Sequence, residues 1–256
     1  MSDDRRRRPF DAIRAALSDP AGHVDGDPEV DLRLDLSRQA RTGIPEVVLA
    51  EHKTDDQVRV ALVRLAAANG RALAARCRPG TMAALADTLA DGWTVSIDTV
   101  ARTVAIANPG HCQARSGGRI AIIAAGTSDL PVASEARVMA SEMGCQVVAI
   151  NDVGVAGLHR LVIPLERVMI DGCHVIVVAA GMDGALPSVV AGLVDVPVIG
   201  LPTSIGYGHG GRGEAALATM LQSCSPGLVV VNIDNGIGAG ATAALIANAV
   251  AATPLP

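Results

Sequence analysis

From Arg119 onward the chain runs in blocks: an apolar stretch, a short polar turn, a helix-length amphipathic segment, then another apolar stretch. Five runs rich in Val, Ile and Ala, at 119–125, 146–151, 174–180, 197–201 and 228–233, carry almost no charge. Such runs suit parallel strands covered on both faces. Between and after them, 132–143, 156–170, 186–194, 214–223 and 241–251 show helical spacing of apolar residues. Strictly alternating strands and helices predict an α/β fold with a doubly wound parallel sheet.

Upstream the character changes. Charges are denser, and 54–77 reads as one helix with Arg and Asp on its outer face. Residues 81–92 read as a second helix and 94–108 as one or two short strands. The pattern therefore predicts two domains, a smaller N-terminal α+β domain over 1–117 and an α/β domain over 118–256, divided at the Gly117–Gly118 pair.

Composition narrows the function classes. Half of the 256 residues are hydrophobic, yet Phe10, Trp93 and Tyr207 are the only aromatic ones, so the core is aliphatic and base-stacking platforms are excluded. The net charge of −5 gives no general pull toward nucleic acid, and the basic run Arg5–Arg8 reads as a disordered, solvated tail. No apolar stretch reaches the ~18 residues that a membrane span needs, and no secretory signal is visible, so a cytoplasmic protein is expected. Of the 21 Lys and Arg residues only Lys53 is a lysine. Five cysteines without CxxC spacing predict free thiols, mostly as small core fillers.

In open α/β sheets ligands bind beyond the carboxyl ends of the strands. Those positions read AGTSD (125–129), NDVGVAG (151–157), AGMDGALPS (180–188), PTSIGYGHGGRGE (202–214) and DNGIGAG (234–240), a rim of small residues, hydroxyls and carboxylates. Gly126-Thr127-Ser128-Asp129 before Pro131 can offer backbone N–H groups to an anion at a helix N-terminus, and Ser128 or Asp129 equally suits a helix cap. GYGHGGRG (206–213) contains GxGxxG twice and fits either a dinucleotide fingerprint or a flexible lid. His159, His174 and His209 have no metal-site spacing, so any metal is expected to be Mg²⁺ held by carboxylates and ligand phosphates. The Gly- and Ala-rich stretch 237–252 could pack closely against other copies of itself.

AGTSDLPVASEA, NDVGVAGLHRL, AGMDGALPSVVAGLVDVPVIGLPTSIGYG and SCSPGLVVVNIDNGIGAG, with ARTGIPEVVLAEHKT (40–54) upstream, resemble the LarB family of nickel-pincer-nucleotide cofactor biosynthesis. The C-terminal half of that family is similar to PurE-like aminoimidazole ribonucleotide (AIR) carboxylases, with a flavodoxin-like three-layer sandwich. The resemblance implies that nicotinic acid adenine dinucleotide and CO₂ become pyridinium-3,5-biscarboxylic acid mononucleotide, with the phosphoanhydride hydrolysed and AMP released. It implies Cys224 as a nucleophile adding at ring C6 and Asp183 as the base removing the C5 proton, although Glu often stands at the latter position. Gly126, Thr127, Ser128, Asp129, Asp152, His159, Ser204 and Tyr207 would contact substrate, and Lys53 and Arg41 would supply cations. It also implies Mg²⁺ during hydrolysis, no nickel held by this protein itself, and a homo-oligomer, an octamer.

Two other readings stay open. An AIR carboxylase or mutase would use the same fold, but that family's loop resembling A-G-G-x-x-H-L-P-G carries a proton-shuttling histidine where this chain has Ala185. A nucleotide-binding module without chemistry would need no nucleophile.

Overall fold

The computed structural model describes residues 32–89 and 92–253, together with 10–11, 13–14 and 25–27. The expectation of a disordered tail through Arg8 lies outside them. Two compact units divide the chain, Met1–Cys112 and Gln113–Pro256.

Unit 1 pairs β1 (Asp25–Asp27) with β2 (Leu32–Leu34), followed by α1 (Arg38–Thr42) and a mixed sheet. That sheet contains β3 (Val47–Leu49), β4 (Arg71–Ala75), β5 (Thr94–Asp98) and β6 (Thr103–Ala107) in the order β3-β4-β6-β5. β3 and β4 run parallel, joined by α2 (Asp55–Asn69), while α3 (Pro79–Leu89) links β4 to the β5–β6 hairpin. A capping box starts α2: the Thr54 hydroxyl accepts from the Gln57 N–H and the Gln57 side chain accepts from the Thr54 N–H. Such a cap contributes about 1 kcal/mol.

The single helix expected over 54–77 is corrected here. It ends at Asn69, where Gly70 turns left-handed at φ 80° and donates its N–H to the Ala66 carbonyl, and 71–75 become β4. Alanine-rich RALAA has helical propensity, but as an interior strand with four of its five residues buried it is set by the small residues that α2 can lie against. The unit 1 core gathers Leu62, Leu65, Leu85 and Ile106, with half-buried Trp93 at its margin.

Unit 2 is the doubly wound α/β fold that the alternation predicts. Five parallel strands, β7 (Arg119–Ala124), β8 (Gln146–Ile150), β9 (Val175–Ala180), β10 (Val198–Pro202) and β11 (Leu228–Val230), lie in the order β11-β10-β9-β7-β8. This is the flavodoxin-like order. Five helices cover the sheet: α4 (Leu130–Glu142), α5 (His159–Ile170), α6 (Leu186–Ala191), α7 (Glu214–Leu221) and α8 (Gly236–Ala251). β9 is buried at all six positions, which explains its uninterrupted VIVVAA.

α4 and α8 pack against each other. A methyl group on Gly236 would strike the Val132 carbonyl, and one on Gly240 the Ala136 carbonyl. The small-residue face expected to meet other copies is therefore used within the chain, where it lets two backbones approach closely.

Candidate active site at the sheet switch point

β7 sends its chain through α4 to β8 on one side, and β9 sends its chain through α6 to β10 on the other. The connections diverge between β7 and β9, which opens a crevice at their carboxyl ends. A cavity of about 460 Å³ occupies it, within the range of small-molecule sites. Gly126, Ser128 and Asp129 line it after β7, Gly154–Ala156 after β8, Gly181, Met182 and Asp183 after β9, and Ile205 after β10.

The loops are held in place by buried polar contacts. Asp129, only 4% exposed, accepts the Gly126 N–H at 2.9 Å through Oδ2 and the Thr203 hydroxyl at 2.6 Å through Oδ1. Its carboxylate thus ties the turn after β7 to the loop after β10. Asp234 Oδ1 accepts the Ser204 N–H at 2.8 Å, and the Met182 N–H donates to the Ile205 carbonyl at 2.7 Å.

Backbone strain collects at the same rim. Among the described residues of unit 2, the non-glycine residues with left-handed φ are Asp152 (59°), Met182 (54°), Arg212 (61°) and Asp234 (55°), and each follows a different strand. Each such conformation costs on the order of 1 kcal/mol and persists where the surroundings impose it, as at binding sites.

The cavity unites four of the residues singled out from sequence: Gly126, Ser128, Asp129 and Asp183. Asp183 is exposed, and its bond among the described residues is a long one, 3.4 Å from the Ala185 N–H. Thr127 is exposed on the same turn without lining the cavity. Asp152 accepts from Arg160 at 2.8 Å, His159 is exposed at the start of α5, Ser204 neighbours the lining residue Ile205, and Tyr207 stands 81% exposed on the Gly-rich loop. Lys53 and Arg41 belong to unit 1. Arg41 grips Asp35 through both terminal nitrogens, at 3.1 and 2.5 Å, and thereby holds that carboxyl below its usual range.

Cys224 lies apart. It is exposed between α7 and β11, at the end of the sheet where strands begin, in an open depression with Ser188, Ala218, Thr219, Gln222 and Ser223. That depression shares no residue with the switch-point cavity. The Ser188 hydroxyl donates to Ser223 at 2.8 Å and the Ser225 hydroxyl to the Ser188 carbonyl at 2.9 Å, so the segment carrying the thiol is tied to α6.

The other thiols differ sharply in accessibility. Cys77, Cys145 and Cys173 are buried, and burial raises the pKa of each thiol, that of Cys77 to about 11. A native-state titration with an aromatic disulfide reagent at neutral pH is expected to modify two thiols rapidly, exposed Cys112 and Cys224, with the remaining three reacting only in denaturant. Fast reaction of a third thiol would contradict this burial.

Sequence reasoning missed the apolar lining formed by Val155, Met182, Leu186 and Ile205, and the brace from Thr203. The position of these residues just after strands was the available signal.

The chain matches the AIR carboxylase family over residues 119–254 and the LarB/PurE-like N-terminal domain over residues 30–108. It is 44% identical over 220 residues to the uncharacterized protein MJ0165 of Methanocaldococcus jannaschii, covering 84% of each chain. The chain belongs to the LarB family. Its LarB-type pair of domains supports a carboxylase-type function with a nucleotide-type substrate and CO₂. No helix among the described residues is long and apolar enough to cross a membrane.

Proposed function

We propose that this protein carboxylates the pyridinium C5 of nicotinic acid adenine dinucleotide with CO₂ and hydrolyses its phosphoanhydride, yielding pyridinium-3,5-biscarboxylic acid mononucleotide and AMP. The observation that carries this reading is a cavity with a largely apolar lining and two carboxylates, Asp129, whose oxygens are taken up by Gly126 and Thr203, and the exposed Asp183, and without the histidine that an AIR mutase loop would place at Ala185. An apolar slot suits a flat ring, and a carboxylate with few bonds to the protein suits proton removal.

A pyridinium C5 is electron-poor and cannot attack CO₂ directly. A thiolate adding at C6 forms a C–S bond and sends the displaced electron pair to the ring nitrogen, making C5 nucleophilic. C5 then bonds to the carbon of CO₂. Asp183 takes the C5 proton, the C5–H electrons rebuild the ring double bond, and the thiolate leaves C6. The net change is replacement of a ring hydrogen by a carboxylate, with release of one proton.

Cys224 is the thiol assigned to this step. Because its depression and the Asp183 cavity share no residue within one chain, Cys224 acts on the cavity of a neighbouring copy. The homo-oligomer is thus part of the proposal. Substrate contacts come from Gly126, Thr127, Ser128, Ser204 and Tyr207 on the rim, while Asp129 holds the turn from which Gly126 and Ser128 project. No cluster of three His, Cys, Asp or Glu side chains among the described residues forms a metal cage, so Mg²⁺ is expected to enter with the substrate phosphates and no step depends on it here.

The test is mass spectrometry of products after incubation with nicotinic acid adenine dinucleotide, bicarbonate and Mg²⁺. AMP and a mononucleotide bearing one added carboxyl group are expected from the parent protein and not from Cys224→Ala. An unchanged dinucleotide in both would end this reading and turn attention to AIR.

A further inference from the structure

The depression that holds Cys224 has a volume of about 570 Å³, and the thiol is the one ionisable group in its lining. The polar lining is otherwise neutral: Thr219, Gln222 and Ser223 on one side, Ser188 on the other. Asp195, ahead of β10, reaches the same end of the sheet and does not line the depression. The helical turn runs past the end of α7, with the Gln222 N–H on the Ala218 carbonyl at 2.9 Å and the Ser223 N–H on the Met220 carbonyl at 3.3 Å. Positions 219, 222 and 223 therefore keep helical spacing and share one face beside the thiol.

A serine hydroxyl has two lone pairs and one proton. Ser223 Oγ accepts the Ser188 hydroxyl at 2.8 Å and the Ser225 N–H at 3.2 Å, so both lone pairs are engaged and the proton is left to donate. The Ser225 hydroxyl donates to the Ser188 carbonyl at 2.9 Å, which fixes the oxygen from a second side. No acceptor for the Ser223 proton lies among the described residues, and the Thr219 hydroxyl and Gln222 amide have no partner there either.

Ring chemistry says what such donors meet. If sulfur bonds to C6, the carbon that takes up CO₂ is C5, the next ring atom. The new carboxylate is then attached beside the carbon–sulfur bond, among the groups that surround Cys224. As the C5 electron pair bonds to the carbon of CO₂, one C=O pair moves onto oxygen and that oxygen gains charge. Neutral donors fixed in advance favour charge that appears during the step, and unlike Arg they do not grip the finished anion.

We propose that Ser223, Thr219 and Gln222 form the subsite that takes up CO₂ and holds the carboxylate made from it. Ser223 donates to the oxygen that becomes charged, and Ser188 and Ser225 position that hydroxyl. The subsite rests on the carbon–sulfur step of the reading above.

The test uses the full chain and two alkylating reagents. Iodoacetate and iodoacetamide both join sulfur to a CH₂ group with loss of iodide, and they differ in carrying a carboxylate or an amide beside it. The ratio of their rates at Cys224, read by peptide mass spectrometry, measures carboxylate recognition next to the thiol and cancels changes in its exposure. That ratio is expected to fall about fivefold in Ser223→Ala and about twofold in Thr219→Val, with Ser223→Thr close to the parent and exposed Cys112 unchanged throughout. Thr219→Val removes a hydroxyl that is bonded to nothing in the fold, so a fall there is no packing effect. Parental ratios in both Ser223→Ala and Thr219→Val overturn the subsite. In turnover, Ser223→Ala is expected to lower kcat about tenfold with the dinucleotide KM retained, and Ser223→Thr to restore it. If the parent does not convert the dinucleotide while the ratio still depends on Ser223 and Thr219, the carboxylation reading falls and a carboxylate subsite stands. If both variants carboxylate with parental kcat, the subsite falls and the carboxylation reading stands.

Discussion

Cys224→Ala and Asp183→Asn chains, each inactive alone, are expected to recover about a quarter of the parental carboxylation rate when co-expressed and assembled together. Each single variant removes one half of the chemistry, the carbon–sulfur step or the proton removal, and should lower kcat by on the order of 10³ or more. In a mixed oligomer, a cavity is complete when the copy that owns it keeps Asp183 and its neighbour keeps Cys224. Random assembly at equal ratio meets both conditions in about one site in four, by the statistics of independent copies at a repeated interface. The prediction follows from the disjoint linings of the two cavities in one chain. A mixture as inactive as its components, made from variants that assemble normally, would sink the shared-site proposal and leave Cys224 without a role at Asp183.

Gly240→Ala should lower the unfolding free energy by about 3 kcal/mol, read as a drop in urea midpoint at unchanged slope. The added methyl would meet the Ala136 carbonyl, with the Ala136 Cα and Met139 Cβ both at 2.9 Å. These are backbone and first side-chain atoms of α4, so no rotamer change relieves the clash, and the two helices must separate. Gly80→Ala makes the contrast. Nothing lies within 4 Å of the added carbon there, its φ is not left-handed, and the site is helical, so a gain of about 0.5–1 kcal/mol is expected. Equal effects at the two positions would mean that α4 and α8 do not approach as described.

The strands of unit 2 were legible because burial on both faces writes itself into the sequence as unbroken Val, Ile and Ala. All five lie where the apolar runs place them, with ends differing by a residue at most sites and by three at β11. Alanine defeated the same reasoning at β4, because a strand that must accept α2 closely can be made of residues that also favour helices. At the site, position after a strand end located Gly126, Ser128, Asp129 and Asp183. What sequence could not say is which way a carboxylate turns: Asp129 suited an anion-facing rim on paper, and its oxygens instead hold Gly126 and Thr203. The separation of Cys224 from Asp183 was legible by the same rule, since position 224 falls between a helix and the start of a strand whereas position 183 follows a strand end. Left-handed Met182 and Arg212 carry no compositional mark at all.

The scarcity of aromatic side chains gives each half of the molecule a private optical voice. Trp93, the chain's single indole, sits at the margin of the unit 1 core, and Tyr207, its single phenol, stands on the rim of unit 2. Indole emission therefore follows the melting of one unit with no background from the other. Phenol emission, or one ring resonance pair in an NMR spectrum, watches the mouth of the crevice without a label having to be introduced.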